Sequence, residues 1–242
     1  MKEVNSYGWK AVIGSSIGYA MDGFDLLILG FMLTLISGDL GLTTGQAGSL
    51  VTWTLVGAVI GGFIFGTLSD KFGRVRVLTW TIVLFAVFTG LCAFAQGYWD
   101  LLIYRTIAGI GLGGEFGIGM ALAAEAWPAQ HRAKATSYVA IGWQLGVLAA
   151  ALLTPVLLPY IGWRGMFMVG IIPAFVAWFF RAKLHEPEIF VQSKEIKEHS
   201  HTNSFKLLVK DVRTTKTSIG VAILTSVQNF GYYGIMIGCL IS

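Results

Sequence analysis

The sequence predicts an all-α integral membrane protein on three observations: depletion of charge, seven long apolar runs, and basic residues confined to alternate links between those runs. Of 242 residues, 55% are hydrophobic and 12% are charged, with a mean hydropathy of +0.70. A soluble domain carries about a quarter charged residues, so this chain lacks the polar surface that water demands. Its 31 glycines suit helices packed backbone to backbone in lipid. They follow no triplet period, which excludes collagen.

A bilayer core takes about 20 apolar residues as helix. The qualifying stretches are 10–36, 47–68, 77–96, 101–124, 136–158, 165–181 and 218–242. The first is too long and too glycine-rich for a cleavable signal peptide. Short polar links join the runs, except for Glu125–Ala135 and a charged segment from Lys183 to Thr217. With the N-terminus inside, every one of the 17 basic residues except Arg105 and Arg164 falls on the cytoplasmic side. Lys and Arg stay on that face during insertion, so the expected placement is multi-pass in the plasma (inner) membrane with a cytoplasmic N-terminus. The net charge of +4 is thus an orientation signal, and nucleic acid is not an expected partner. The expected organisation is a six-helix bundle over 1–181, a cytoplasmic link over 182–217 and a seventh span over 218–242. Phe205, Leu208 and Val209 have helical spacing within the link.

The sharpest motif joins the second and third runs: Gly66-Thr67-Leu68-Ser69-Asp70-Lys71-Phe72-Gly73-Arg74-Val75-Arg76. Helices joined this tightly need glycine where backbones touch, and Gly66 and Gly73 are expected to supply it. Asp70 at a membrane edge can cap or meet a helix N-terminus, while Arg74 and Arg76 can pair with carboxylates. The stretch resembles the loop motif of the major facilitator superfamily, whose Asp and basic residues are gating contacts rather than substrate ligands.

Charges inside the spans mark chemistry, because lipid penalises them unless they face a cavity or a partner. Arg105 lies about 6 Å past the start of its run; Glu115 lies ten residues further, near mid-membrane, beyond rescue by snorkelling. The first run carries Asp22-Gly23-Phe24-Asp25, with the acids on neighbouring parts of one face and roughly 18 to 23 Å along the helix. Two carboxylates this close in low dielectric resist ionising together, which a proton-binding site requires. The arginine and glycine-rich run from Arg105 to Glu115 resembles a second motif of the same superfamily. Asp22-Gly23-Phe24-Asp25, Gly113-Gly114-Glu115-Phe116-Gly117 and Glu125-Ala126-Trp127-Pro128 resemble its sialic-acid and aromatic-acid proton-symporter branch.

The resemblance implies a six-helix N-terminal bundle of two inverted helix triplets, plus a seventh span that starts an absent C-terminal half. Phe72-Gly73-Arg74 after the second run and Ile161-Gly162-Trp163-Arg164 after the fifth mark equivalent points of the triplets. All four intramembrane charges then fall on equivalent helices, the first and fourth.

The implied activity is proton symport of a small carboxylate-bearing metabolite. Asp22, Asp25 and Glu115 are candidate proton carriers, Arg105 attracts the anion or pairs with an acid, and Gln144 lines the cavity with Trp53 and Trp143. Gly66, Asp70, Gly73, Arg74 and Arg76 form the cytoplasmic gate motif. The fifth run lacks the glycine–proline element of drug antiporters, which favours uptake. The expected partners are substrate, proton, lipid bilayer and a C-terminal half. Rival readings are a truncated, non-transporting scaffold and a sugar-porter-like facilitator.

Trp80, Trp99, Trp127 and Trp163 stand near run ends and read as interfacial anchors. Cys92 and Cys239 lie in apolar runs, and His199-Ser200-His201 lacks partners at metal-ligand spacing. No metal, cofactor or enzyme activity is expected, since no nucleophile–base arrangement or phosphate-binding glycine loop is present.

Overall fold

The computed structural model describes residues 6–181, 186 and 211–241. Helix α1 is Ser6–Leu40, α2 Thr44–Phe72, α3 Arg74–Cys92 and α4 Tyr98–Glu125. A short 3-10 turn at Ala129–His131 leads into α5, Arg132–Arg181, and α6 is Val212–Ile241. The α5 run is two helices: Gly162 stands at φ 64° and ψ 178° inside it. That backbone is open to glycine and strained for other residues, so the arms 132–161 and 163–181 are the fifth and sixth predicted spans. Helices α1 to α5 are long and apolar enough to cross a membrane. At 35 residues and 1.5 Å per residue, α1 is about 52 Å long and outreaches a ~30 Å hydrocarbon core.

The chain divides into two compact units, Met1–Phe190 and Val191–Ser242. The second contains α6, which starts within the predicted link, so that Val212–Thr217 is helical. Asp211 caps it, accepting from the Thr214 backbone N–H at 2.8 Å and the Thr214 hydroxyl at 2.9 Å. These bonds hold the Asp211 carboxyl below the ordinary carboxylate range. Phe205, Leu208, Val209 and the pair His199 and His201 lie outside the described residues.

In the first unit the most extensive contacts are α1 on α5 and α2 on α4. An inverted repeat that equates helices one and four, and two and five, makes these two contacts equivalent. Both are built the same way. A Cβ at Gly57 or Gly61 of α2 would strike the Thr106 or Ile110 carbonyl, and one at Gly109 or Gly113 of α4 would strike that of Thr54 or Ala58. Across the other contact, Gly142 and Gly146 of α5 meet the carbonyls of Ser16 and Ala20 on α1. Glycines four apart share a helix face, so each pair opens a flat strip on which another backbone rests.

Gly66 departs from expectation, since a Cβ there would meet nothing within 4 Å. The close approach falls a turn earlier, where α2 and α4 cross. Gly73 is the required glycine: it is the single residue between α2 and α3, at φ 112°. Trp127 and Trp163 also depart. Both are 5% exposed and hold the two ends of α1, Trp127 donating to the Gly8 carbonyl at 3.0 Å and Trp163 to Asp39 at 3.1 Å. An indole N–H near a span end finds a protein acceptor here instead of the lipid interface. Trp80 and Trp99 are exposed, as anchors should be.

Candidate functional site

The α1–α4 contact brings Asp25 and Arg105 together. The guanidinium grips the carboxylate with both forks, Nη2 to Oδ2 at 2.7 Å and Nη1 to Oδ1 at 3.1 Å. Their side chains are 1% and 0% exposed. Phe167 from the second arm of α5 covers the guanidinium, its ring centroid 5.8 Å from Cζ, and the Cys92 thiol of α3 lies beside it. A charge buried in lipid needs a partner and geometry of this quality. Of the three acids that could have paired with Arg105, Asp25 does so. Asp22, a turn earlier, is buried at 4% exposure.

Glu115 lies elsewhere on α4, 2% exposed, and accepts from the Thr81 hydroxyl of α3 at 2.6 Å. That hydroxyl also stands 2.8 Å from the Leu78 carbonyl. One hydroxyl proton thus has two acceptors in reach. Glu115 stands ten residues, about 15 Å, along α4 from the Arg105 that pairs with Asp25.

Gln144 is exposed on α5 and, among the described residues, forms no hydrogen bond with these groups. Its neighbour Trp143 packs over Gly23, where a Cβ would come within 2.7 Å of the Trp143 carbonyl and 3.3 Å of its indole; this explains the glycine between the two acids. Tyr19 joins Trp143 to Phe116, each ring pair 5.1 Å apart. Trp53 is exposed on α2.

At the α2–α3 junction, Arg74 gathers three partners: Asp70 at 2.6 Å, Ser69 Oγ at 2.7 Å and both oxygens of Glu125, at 3.1 and 3.4 Å. Burial works against the Arg74 charge, but Glu125 and then Asp70 outweigh it and hold the group above its ordinary value. The arginine ties the end of α4 to the α2–α3 corner. Arg76 is exposed, and its side chain has no ion pair among the described residues.

Glu186 was not singled out from sequence. Its carboxylate accepts the backbone N–H groups of Arg74 at 2.7 Å, Val75 at 3.3 Å and Arg76 at 3.1 Å, closing the N-terminus of α3 where helix donors are unpaired. Burial, then Glu186 and Glu125, push the nearby Tyr7 phenol up to about 12. Glu125 also escaped notice as a site residue. An isolated acid in an otherwise basic link was its available signal.

The opposite end of the bundle repeats the device. Arg164 pairs with Asp39, stacks on Trp163 with Cζ 4.1 Å from the ring centroid and reaches the Ala95 carbonyl at 3.3 Å. Asp39 ends α1 as Glu125 ends α4, and each receives the arginine that follows a positive-φ glycine.

The profile of the Major Facilitator Superfamily matches residues 15–240. The chain belongs to the major facilitator superfamily. A Haemophilus influenzae protein named for metabolite transport is 76% identical over 97% of this chain and 59% of its own length. The Escherichia coli sialic acid transporter is 33% identical over 80% of this chain and 48% of its own length. The cis,cis-muconate transport protein of Acinetobacter baylyi is 33% identical, over 96% and 57% respectively. The chain thus spans about half the length of the curated relatives it matches. The fold agrees: a partially occluded, inward-open xylose transporter from E. coli aligns at a TM-score of 0.71, with 22% identity, over 96% of this chain and 62% of that one. The superfamily bundle of two inverted triplets accounts for the paired contacts and the two arginine clamps.

Proposed function

We propose that the protein is a proton symporter for a small carboxylate-bearing metabolite in the plasma membrane, N-terminus cytoplasmic, with 1–181 as one bundle and 182–217 as a link. The carrying observation is the buried Asp25–Arg105 pair. A proton arriving on Asp25 cancels the carboxylate charge and frees the guanidinium for another anion, a substrate carboxylate. Loss of substrate favours return of Arg105 to ionised Asp25, with release of the proton. Binding of proton and substrate is thereby linked through one shared cation. Glu115 and Asp22 are further proton carriers in this reading.

Sialic acid and muconate, named for two relatives, support a carboxylate substrate. Gln144 and the Tyr19–Trp143–Phe116 rings give such a substrate a polar and a flat contact beside the acids. Gly73, Asp70, Arg74 and Arg76 belong to the gate at the cytoplasmic end, where Arg74 binds α4 to the α2–α3 corner; Gly66 lines that end of the α2–α4 groove.

The test is proton-driven accumulation of a carboxylate substrate in proteoliposomes. Asp25→Asn should insert normally and lose accumulation. Unchanged accumulation refutes the role of Asp25, and substrate flux without proton uptake in the wild type replaces the symporter with a facilitator.

A further inference from the structure

Pressed between α3 and the second arm of α5 is a groove of about 570 Å³, lined only by apolar residues, Ile82 to Phe94 on one side and Met168 to Trp178 on the other. The two walls run antiparallel: Thr89 and Gly90 meet Gly170 and Ile171, whereas Ile82 and Phe85, earlier on α3, cluster with Ala174 and Ala177, later on α5. Trp178 therefore shares an end with Ile82, and Met168 with Phe94. Along α3 the groove covers about 18 Å, more than half of a ~30 Å hydrocarbon core. Gly90 sets its depth, since a Cβ there would come within 2.8 Å of Ile171.

The Ile82 end continues into charge. Arg76, Trp80, Val83 and Val87 are all exposed, and their spacing of four, three and four places them on one face of α3. Arg76 thus stands about 10 Å beyond Val83, in line with the groove. Beside Trp80, Phe72 packs at 5.8 Å and carries the Lys71 ammonium 5.7 Å from its ring centroid. Exposed aromatics and basic groups at a span end sit at headgroup depth, and cations there attract anionic lipid.

We propose that this groove binds one anionic phospholipid, its acyl chain lying between α3 and the second arm of α5 and its phosphate meeting Arg76 and Lys71. An apolar channel of this length suits a chain, and the cations at one end only give it a direction. No substrate or proton is involved, so the inference stands apart from the symport reading.

The test places the full chain in phosphatidylcholine nanodiscs doped with phosphatidylglycerol carrying a photoactivatable acyl chain, and maps cross-links by peptide mass spectrometry. Cross-links should concentrate on 82–94 and 168–178, and exceed those from the matching phosphatidylcholine probe. Arg76→Gln with Lys71→Gln should keep acyl labelling but lose the preference, about fivefold per charge removed. Arg76→Lys should retain the preference, which separates charge loss from misfolding. Val87→Trp should displace the label. Labelling spread evenly over exposed faces such as Val59 and Phe63, equal labelling by both lipids, or a groove cross-linked instead to α6 would each overturn the proposal.

Discussion

The Asp25–Arg105 pair makes an asymmetric prediction. Replacing Asp25 with Leu leaves a guanidinium at 0% exposure without a counter-ion. Arginine cannot shed its proton in a protein, so the full penalty of a broken buried pair applies, about 3–5 kcal/mol. Replacing Arg105 with Met leaves a carboxylate, which escapes part of that penalty by taking up a proton. Arg105→Met should therefore cost less than Asp25→Leu, and its cost should shrink as pH falls. The double variant removes both charges and should return to within about 1 kcal/mol of wild type, because hydrophobic replacements of buried pairs are often neutral. The assay is unfolding of the full chain in mixed micelles with increasing dodecyl sulfate, followed by circular dichroism over a pH series. A coupling of at least about 3 kcal/mol between the two sites is expected. Additive single costs, or equal and pH-independent ones, would refute the view that this contact is a neutralising ion pair.

Gly113→Leu should separate α2 from α4, since even its Cβ meets the Ala58 carbonyl. A loss of about 1–3 kcal/mol or more is expected in the same assay, whereas Gly66→Ala, with open space around it, should be nearly silent. The Asp39 carboxyl is held below its ordinary range first by its hydrogen bond from Arg164 and then by that from Trp163. Its contribution is therefore present above the unfolded carboxylate range and lost as pH falls through the lower folded value; cysteine cross-linking between the end of α1 and residue 165 should loosen on acidification in the wild type but show no such step in Asp39→Asn. Thr81→Val removes the donor to Glu115 at a cost of about 1–3 kcal/mol and should shift the Glu115 carboxyl stretch in infrared difference spectra; an unmoved band would show that the bond is absent in lipid.

Much of the architecture was legible because hydropathy and basic-residue placement are local. Each span could be counted without knowing its neighbours, and Gly73 announced a sharp corner because few other residues accept its backbone. The buried charges were legible as well, since Arg105, Asp25 and Glu115 have no place in lipid without a reason. Their partners were not. Asp22, Asp25 and Glu115 were equal claimants on Arg105 until the crossing of α1 and α4 chose Asp25 and left Glu115 to Thr81.

The sequence by itself determined the membrane-spanning class, the extents of the first six helices to within a few residues, and the placement of the buried charges on the first and fourth helices. Tertiary structure alone decided which glycines carry backbone contacts, so that Gly57, Gly61, Gly109 and Gly113 take the role expected of Gly66. It likewise turned Trp127 and Trp163 inward to hold the ends of α1. It also recruited Glu186 to the α3 N-terminus and Glu125 to Arg74. The physical reason is common to all of these. Burial in lipid is a property of a segment, whereas pairing depends on where two helix surfaces cross, and residues 51 and 112 positions apart on the chain meet only after that crossing is made.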